Sequence, residues 1–168
     1  MKTKLILITG APGVGKTETG KKLIDFCPDR SALIDTDNIV GIQPFKIDDD
    51  FYELVGKNLK SCITNFHNHN YKLIIVTGVL IPEGIYKQII DFISDNKKFE
   101  YVIYGLQANK EIIINRIEND IKPQNSYQRK QWLHVNDEIL EIKGLKTIDT
   151  STLTIDEVVN TIRELEEL

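Results

Sequence analysis

Arginine, cysteine and long apolar runs are all scarce in this chain, and each scarcity narrows what the protein can do. Only four arginines (Arg30, Arg116, Arg129 and Arg163) accompany 17 lysines and 25 acidic residues. With a net charge of -4 there is no basic field to track a phosphate backbone, so a long nucleic acid is not expected as a partner. The two cysteines, Cys27 and Cys62, are isolated and lack metal-type spacing, which reads as reduced core thiols of a cytosolic protein. His67, His69 and His134 likewise form no metal-like constellation and are expected on the surface or in packing. The opening MKTKLILIT holds five consecutive apolar or near-apolar residues before Gly10, too few for a signal segment or a membrane span. A cytoplasmic protein without a membrane partner is therefore expected. No internal repeat, low-complexity tract or Pro/Gly/Ser linker divides the 168 residues, 41% of them apolar. One domain spanning 1–168 is expected, large enough to bury roughly 70% of its unfolded surface.

What is present is an alternation of short aliphatic runs with segments of helical periodicity, the pattern of a parallel sheet covered on both faces. Strands are predicted at residues 4–9, 32–35, 72–77, 101–106 and 146–148. The intervening segments repeat apolar residues at helical spacing: Leu23 and Phe26; Phe51, Val55, Leu59, Cys62 and Phe66; Ile85, Ile89 and Phe92; Ile113 and Ile117; Trp132, Val135 and Ile139. A last helix starts at the capping box Thr154-Ile155-Asp156-Glu157 and is predicted to bury Val158, Ile162 and Leu165. The longest polar interruption, residues 119–131, is where a moving segment is expected.

Between the first strand and the first helix lies Gly10-Ala11-Pro12-Gly13-Val14-Gly15-Lys16-Thr17, which fits G-x-x-x-x-G-K-S/T in the strand–helix context that the motif requires. Small residues let successive backbone N–H groups converge on an anion. The helix beginning near Gly15 adds its positive end, and Lys16 reaches the outer phosphates. Thr17 supplies a hydroxyl for a magnesium ion. A nucleoside triphosphate, ATP with magnesium, is thus expected on Gly10, Ala11, Pro12, Gly13, Val14, Gly15, Lys16 and Thr17, with Glu18 following in the first turn of the helix.

Further absences sort the class of nucleotide protein. The aliphatic strand 72–77 ends in Thr77-Gly78 without a carboxylate, against a motor-type ATPase. Asn109-Lys110-Glu111-Ile112 lacks the final aspartate of a guanine-reading Asn-Lys-x-Asp, against a GTP switch. Carboxylates appear instead in Leu33-Ile34-Asp35-Thr36-Asp37, where a strand is expected to end. Ligands of open parallel sheets bind off the carboxyl ends of the strands, so this segment and the glycine-rich loop share one crevice. Period-two spacing is expected to point Asp35 and Asp37 the same way. One would position magnesium-bound water and the other would accept a proton or hydrogen bond from an acceptor hydroxyl. Asp35 is placed with the metal and Asp37 as the base, with Gly78 beside them on the substrate side. The competing reading makes Asp37 a cap on a short helix at Asn38-Ile39.

These features together resemble the small P-loop kinases, a group that includes shikimate kinase, gluconate kinase, adenylylsulfate kinase and chloramphenicol phosphotransferase. The likeness runs through GAPGVGKT at 10–17, IDTD at 34–37, LQANKEIIINRIEND at 106–120 and TIDTSTLTIDEVV at 147–159. It implies a three-layer α/β fold with a five-stranded parallel sheet in the order 2-3-1-4-5 and a short lid at about 119–131. It further implies Arg116 near the adenine or the phosphates, with Asp149, Thr150 and Ser151 forming the adenine-side loop. Relatives often carry a second arginine one helical turn after the position of Arg116, where this chain has Asp120. A cation for the transferring phosphoryl group is then expected from the lid, from Arg129, Lys122 or Lys130. Arg129 is favoured because a guanidinium grips two oxygens at once. The activity implied is transfer of the ATP γ-phosphoryl group to a hydroxyl of a small molecule, by a monomer or homodimer. The alternatives are a nucleoside monophosphate kinase and a regulatory protein that binds nucleotide without turnover. No arginine occurs between residues 31 and 115, which tilts the acceptor toward a neutral or cationic compound. Asp48-Asp49-Asp50 reads mainly as an acidic helix start.

Overall fold

In the computed structural model, which describes residues 2–44, 46–80, 85–120 and 126–168, the strands form one parallel sheet. They are β1 (Thr3–Thr9), β2 (Ser31–Asp35), β3 (Leu73–Thr77), β4 (Phe99–Gln107) and β5 (Lys146–Asp149), in the spatial order β2-β3-β1-β4-β5. This is the order expected. Leu5, Ile6, Leu7 and Ile8 of β1 and Ile74, Ile75 and Val76 of β3 are wholly buried, as central strands covered on both faces must be. The edge strand β2 alternates buried and half-buried positions.

The helices are α1 (Lys16–Ile24), α2 (Asp49–Asn68), α3 (Lys87–Ser94), α4 (Lys110–Glu118), α5 (Ser126–Lys130), α6 (Val135–Glu138) and α7 (Ile155–Glu166). α1 packs against α7, and α2 packs against α3. α2 starts at Asp48, whose carboxylate accepts from Phe51 N at 3.1 Å. α7 starts at the predicted capping box, with Thr154 and Glu157 each bonding the other's backbone. At the amino-terminal side of the sheet, Glu166 accepts from the buried Tyr104 hydroxyl and pairs with Lys4 at 3.0 Å and Lys146 at 2.9 Å. This cluster ties α7 to three strands. Among the described residues no helix is long and apolar enough to cross a membrane.

Three local expectations are corrected. Leu165 is 54% exposed because the buried stripe of α7 runs through Val158, Val159 and Ile162 and ends one turn earlier. Phe26 lies beyond the end of α1 and is 43% exposed, with the Arg163 guanidinium stacked 4.0 Å from its ring centre. The apolar series Trp132, Val135, Ile139 is not one helix: turns at 131–134 lead into α6 and then a 3-10 turn at Ile139–Glu141. Val135 and Ile139 still reach the core, since successive tight turns present them to the same side.

Candidate active site

The loop between β1 and α1 wraps the end of the central strand. Gly13 and Gly15 have φ of 88° and 95°, a region open to glycine with little penalty. Gly15 caps α1 without any side-chain hydrogen bond, so the first N–H groups of the helix, including those of Thr17 and Glu18, are presented to the crevice. The Glu18 side chain itself turns to the surface and pairs with Lys21 at 2.9 Å. Ala11 and Val14 anchor the loop in the core, while Pro12 is half-buried.

Lys16 is 8% exposed, and its ammonium donates to Ala11 O at 2.9 Å. Burial lowers its pKa to about 8, against the opposing pull of Asp37 and Asp35. Thr17 Oγ1 donates to Asp35 Oδ2 at 2.8 Å, joining the helix start to the end of β2.

The expected period-two relation of Asp35 and Asp37 does not hold. β2 ends at Asp35, and Thr36–Asn38 is a 3-10 turn for which Asp35 is the cap, accepting from Asp37 N at 3.1 Å. Asp35 is thus the capping residue, and Asp37 stands in the turn. Both carboxylates nonetheless remain within the electrostatic reach of Lys16. Asp37 opens to solvent, but the surrounding protein and the Asp35 carboxylate raise its pKa, with Lys16 and Arg129 opposing.

The turn is held by contacts that sequence reading passes over. Thr36 is buried against Gly78, where an added Cβ would lie 1.9 Å from Thr36 Oγ1. Gly78 therefore supports the acidic turn by letting it approach. Thr9 Oγ1 donates to Leu80 O at 3.2 Å and accepts from Leu80 N at 3.0 Å, tying the segment after β3 to β1. Thr77, level with Asp35 in the sheet, has a buried hydroxyl without a partner among the described residues.

On the opposite side of the loop, Gly13, Val14, Gly15, Arg116, Thr150, Leu153, Thr154, Ile155 and Val158 line a pocket of about 230 Å3. Arg116 donates to Thr150 Oγ1 at 3.1 Å and Thr150 O at 2.7 Å. The Thr150 hydroxyl is buried and donates to Gln107 O at 2.9 Å, so this residue shapes the wall. Ser151 closes a turn on Asp149 and accepts from Asn109 N at 2.8 Å. A second, open groove of about 480 Å3 between α2 and α3, lined by Lys60, Gln88, Asp91, Phe92, Asp95 and Asn96, contains none of the expected site residues.

Arg129 lies in α5, bonded to Asp120 Oδ2 at 2.6 Å, and its charge acts on both Lys16 and Asp37. Lys130 pairs with Glu118 at 2.5 Å. Lys122 and the rest of segment 121–125 lie outside the described residues. Among the described residues no group of three or more His, Cys, Asp or Glu forms a metal cage. The Thr17 hydroxyl and Asp35 carboxylate form a pair of hard oxygen donors. Such a pair suits magnesium, which takes one or two protein oxygens and completes its shell with phosphates and water.

No protein-family model and no curated protein matches the chain. Among solved structures it is similar to the tunicamycin resistance protein of Deinococcus radiodurans, with a TM-score of 0.74, 18% identity and coverage of 99% of this chain and 97% of that one. It is also similar to a sugar kinase from Janibacter, with a TM-score of 0.75, 12% identity and coverage of 98% and 95%. A gluconokinase from Sinorhizobium meliloti gives 0.68, 12%, 94% and 87%. The fold is that of the small P-loop kinases, in agreement with the resemblance carried by the motifs.

Proposed function

We propose that the protein is a phosphotransferase that moves the γ-phosphoryl group of ATP, with magnesium, to a hydroxyl of a small molecule. The observation that carries this reading is the convergence of Lys16 and Thr17 with Asp35 and Asp37, tied by the 2.8 Å Thr17–Asp35 bond. Backbone N–H groups of the glycine-rich loop hold the phosphates, and Lys16 places its charge on their outer oxygens. The pocket beside Arg116 and Thr150 takes the base. Magnesium, held by Thr17 and Asp35, would neutralise charge that builds on the phosphate oxygens.

Asp37 accepts the proton of the acceptor hydroxyl as its oxygen bonds to phosphorus and the bond to ADP breaks. Its raised pKa makes it a stronger base than an ordinary carboxylate. Arg129, oriented by Asp120, adds positive charge on the lid side. The test is acceptor-dependent ADP formation by Asp37→Asn, which keeps the shape and removes the base. Turnover should fall on the order of a hundred- to ten-thousand-fold with ATP affinity nearly unchanged. Turnover equal to the parent's would refute the role of Asp37.

A further inference from the structure

We infer that the acceptor carries no negative charge, so that this site takes neutral or cationic hydroxyl compounds and turns away phosphorylated and carboxylated ones. The inference rests on the kinase reading and adds a substrate class to it. An enzyme that grips an anionic acceptor needs a cation or a free helix start on the acceptor side. Described lysines before and within α2 and at the start of α3 are paired with carboxylates. Lys46 pairs with Asp48 at 2.8 Å, Lys57 with Glu53 at 2.5 Å and Lys87 with Asp91 at 2.6 Å, while the charge of Arg129 is given to the transferring phosphoryl group. Lys60 lines the groove between α2 and α3, which contains none of the expected site residues. Arginine is absent from 31 to 115.

The helix start is equally compensated. Asp48 caps α2, and Asp49 and Asp50 fill its first turn, so its positive end already faces three carboxylates. From Asp35 to Lys57 the chain holds six acidic residues, Asp35, Asp37, Asp48, Asp49, Asp50 and Glu53, against Lys46 and Lys57. The base Asp37 would itself meet an anionic acceptor as a like charge. At about 6 Å and an effective dielectric constant of about 40, one such encounter weakens binding about tenfold.

The experiment measures ADP formation with sets of matched acceptors: nucleosides beside their monophosphates, and hexoses beside their aldonic acids and amino sugars. Each set is run at low and high salt. The neutral or aminated member should exceed its anionic counterpart at least tenfold in kcat/KM, and the margin should shrink as salt screens the carboxylates. Equal use, preference for the anionic members, or a margin indifferent to salt overturns the inference and leaves the kinase reading standing. If no member of any set stimulates ADP formation, while ATP still binds in a Lys16-dependent way, the kinase reading falls and this inference falls with it.

Discussion

Replacing Lys16 by methionine should make the ligand-free protein more stable while abolishing its use of triphosphate. Lys16 is 8% exposed and its pKa stands near 8 instead of 10.5. At pH 7 the lysine is protonated in both folded and unfolded chains, so that gap corresponds to about 3 kcal/mol disfavouring the folded state. Methionine keeps most of the aliphatic stem. It gives up the 2.9 Å bond to Ala11 O, a loss of about 1 kcal/mol. The net expectation is a gain of about 2 kcal/mol at pH 7. The sign with pH follows from proton binding. Between about 8 and 10.5 the unfolded chain holds the Lys16 proton that the folded chain has released, so the parent gains stability as pH rises through this window. The variant lacks this gain, and its advantage should vanish by about pH 10. Urea unfolding of both proteins at pH 7 and pH 10 measures the difference, and groups titrating equally in both cancel. ATP at a hundred times its dissociation constant should add about 2.7 kcal/mol to the parent and nothing to the variant. A variant less stable than the parent at pH 7, or an advantage that persists unchanged at pH 10, would refute the reasoning.

Asp37 accepts a proton only when ionised, and its pKa is raised by the desolvating effect of the surrounding protein and by Asp35. The rate should therefore fall with decreasing pH through a value above the ordinary 3.8, a limb that a kcat/KM profile of Asp37→Asn should lack. Gly78→Ala forces a methyl to within 1.9 Å of Thr36 Oγ1. Overpacking of this kind costs about 1–3 kcal/mol and should lower kcat by displacing the acidic turn. Unaltered thermal stability and kcat would show that the turn yields freely. If residues 119–131 act as the proposed lid, hydrogen exchange across them should slow with ATP and acceptor together, because a lid that closes excludes water. Equal protection with and without ligands would remove the lid role.

Much of this architecture is legible in the chain because local rules carry it. A buried parallel strand reads as an unbroken aliphatic run, so β1 and β3 stand out at Leu5–Ile8 and Leu73–Val76 without any tertiary knowledge. The glycine-rich loop is equally local, since its spacing and the adjoining strand and helix lie within one continuous segment. Likewise, the α7 capping box involves residues only three apart. Leu165 escaped because helical periodicity defines a stripe but not where its covering ends.

The acidic turn shows where local reasoning stops. By itself the sequence determined that two aspartates follow an apolar strand and that a glycine-rich loop precedes it. Alternation extended past Asp35 placed them on one face. Only the tertiary structure decided that the strand ends there, with Thr36 buried against a residue more than forty positions away, Gly78. The same holds for the pairing of Arg129 with Asp120 and for the cluster of Tyr104, Glu166, Lys4 and Lys146. Their charges are visible in the sequence, but partnership depends on distance in space. That distance is set by how the helices pack on the sheet, which no single segment encodes.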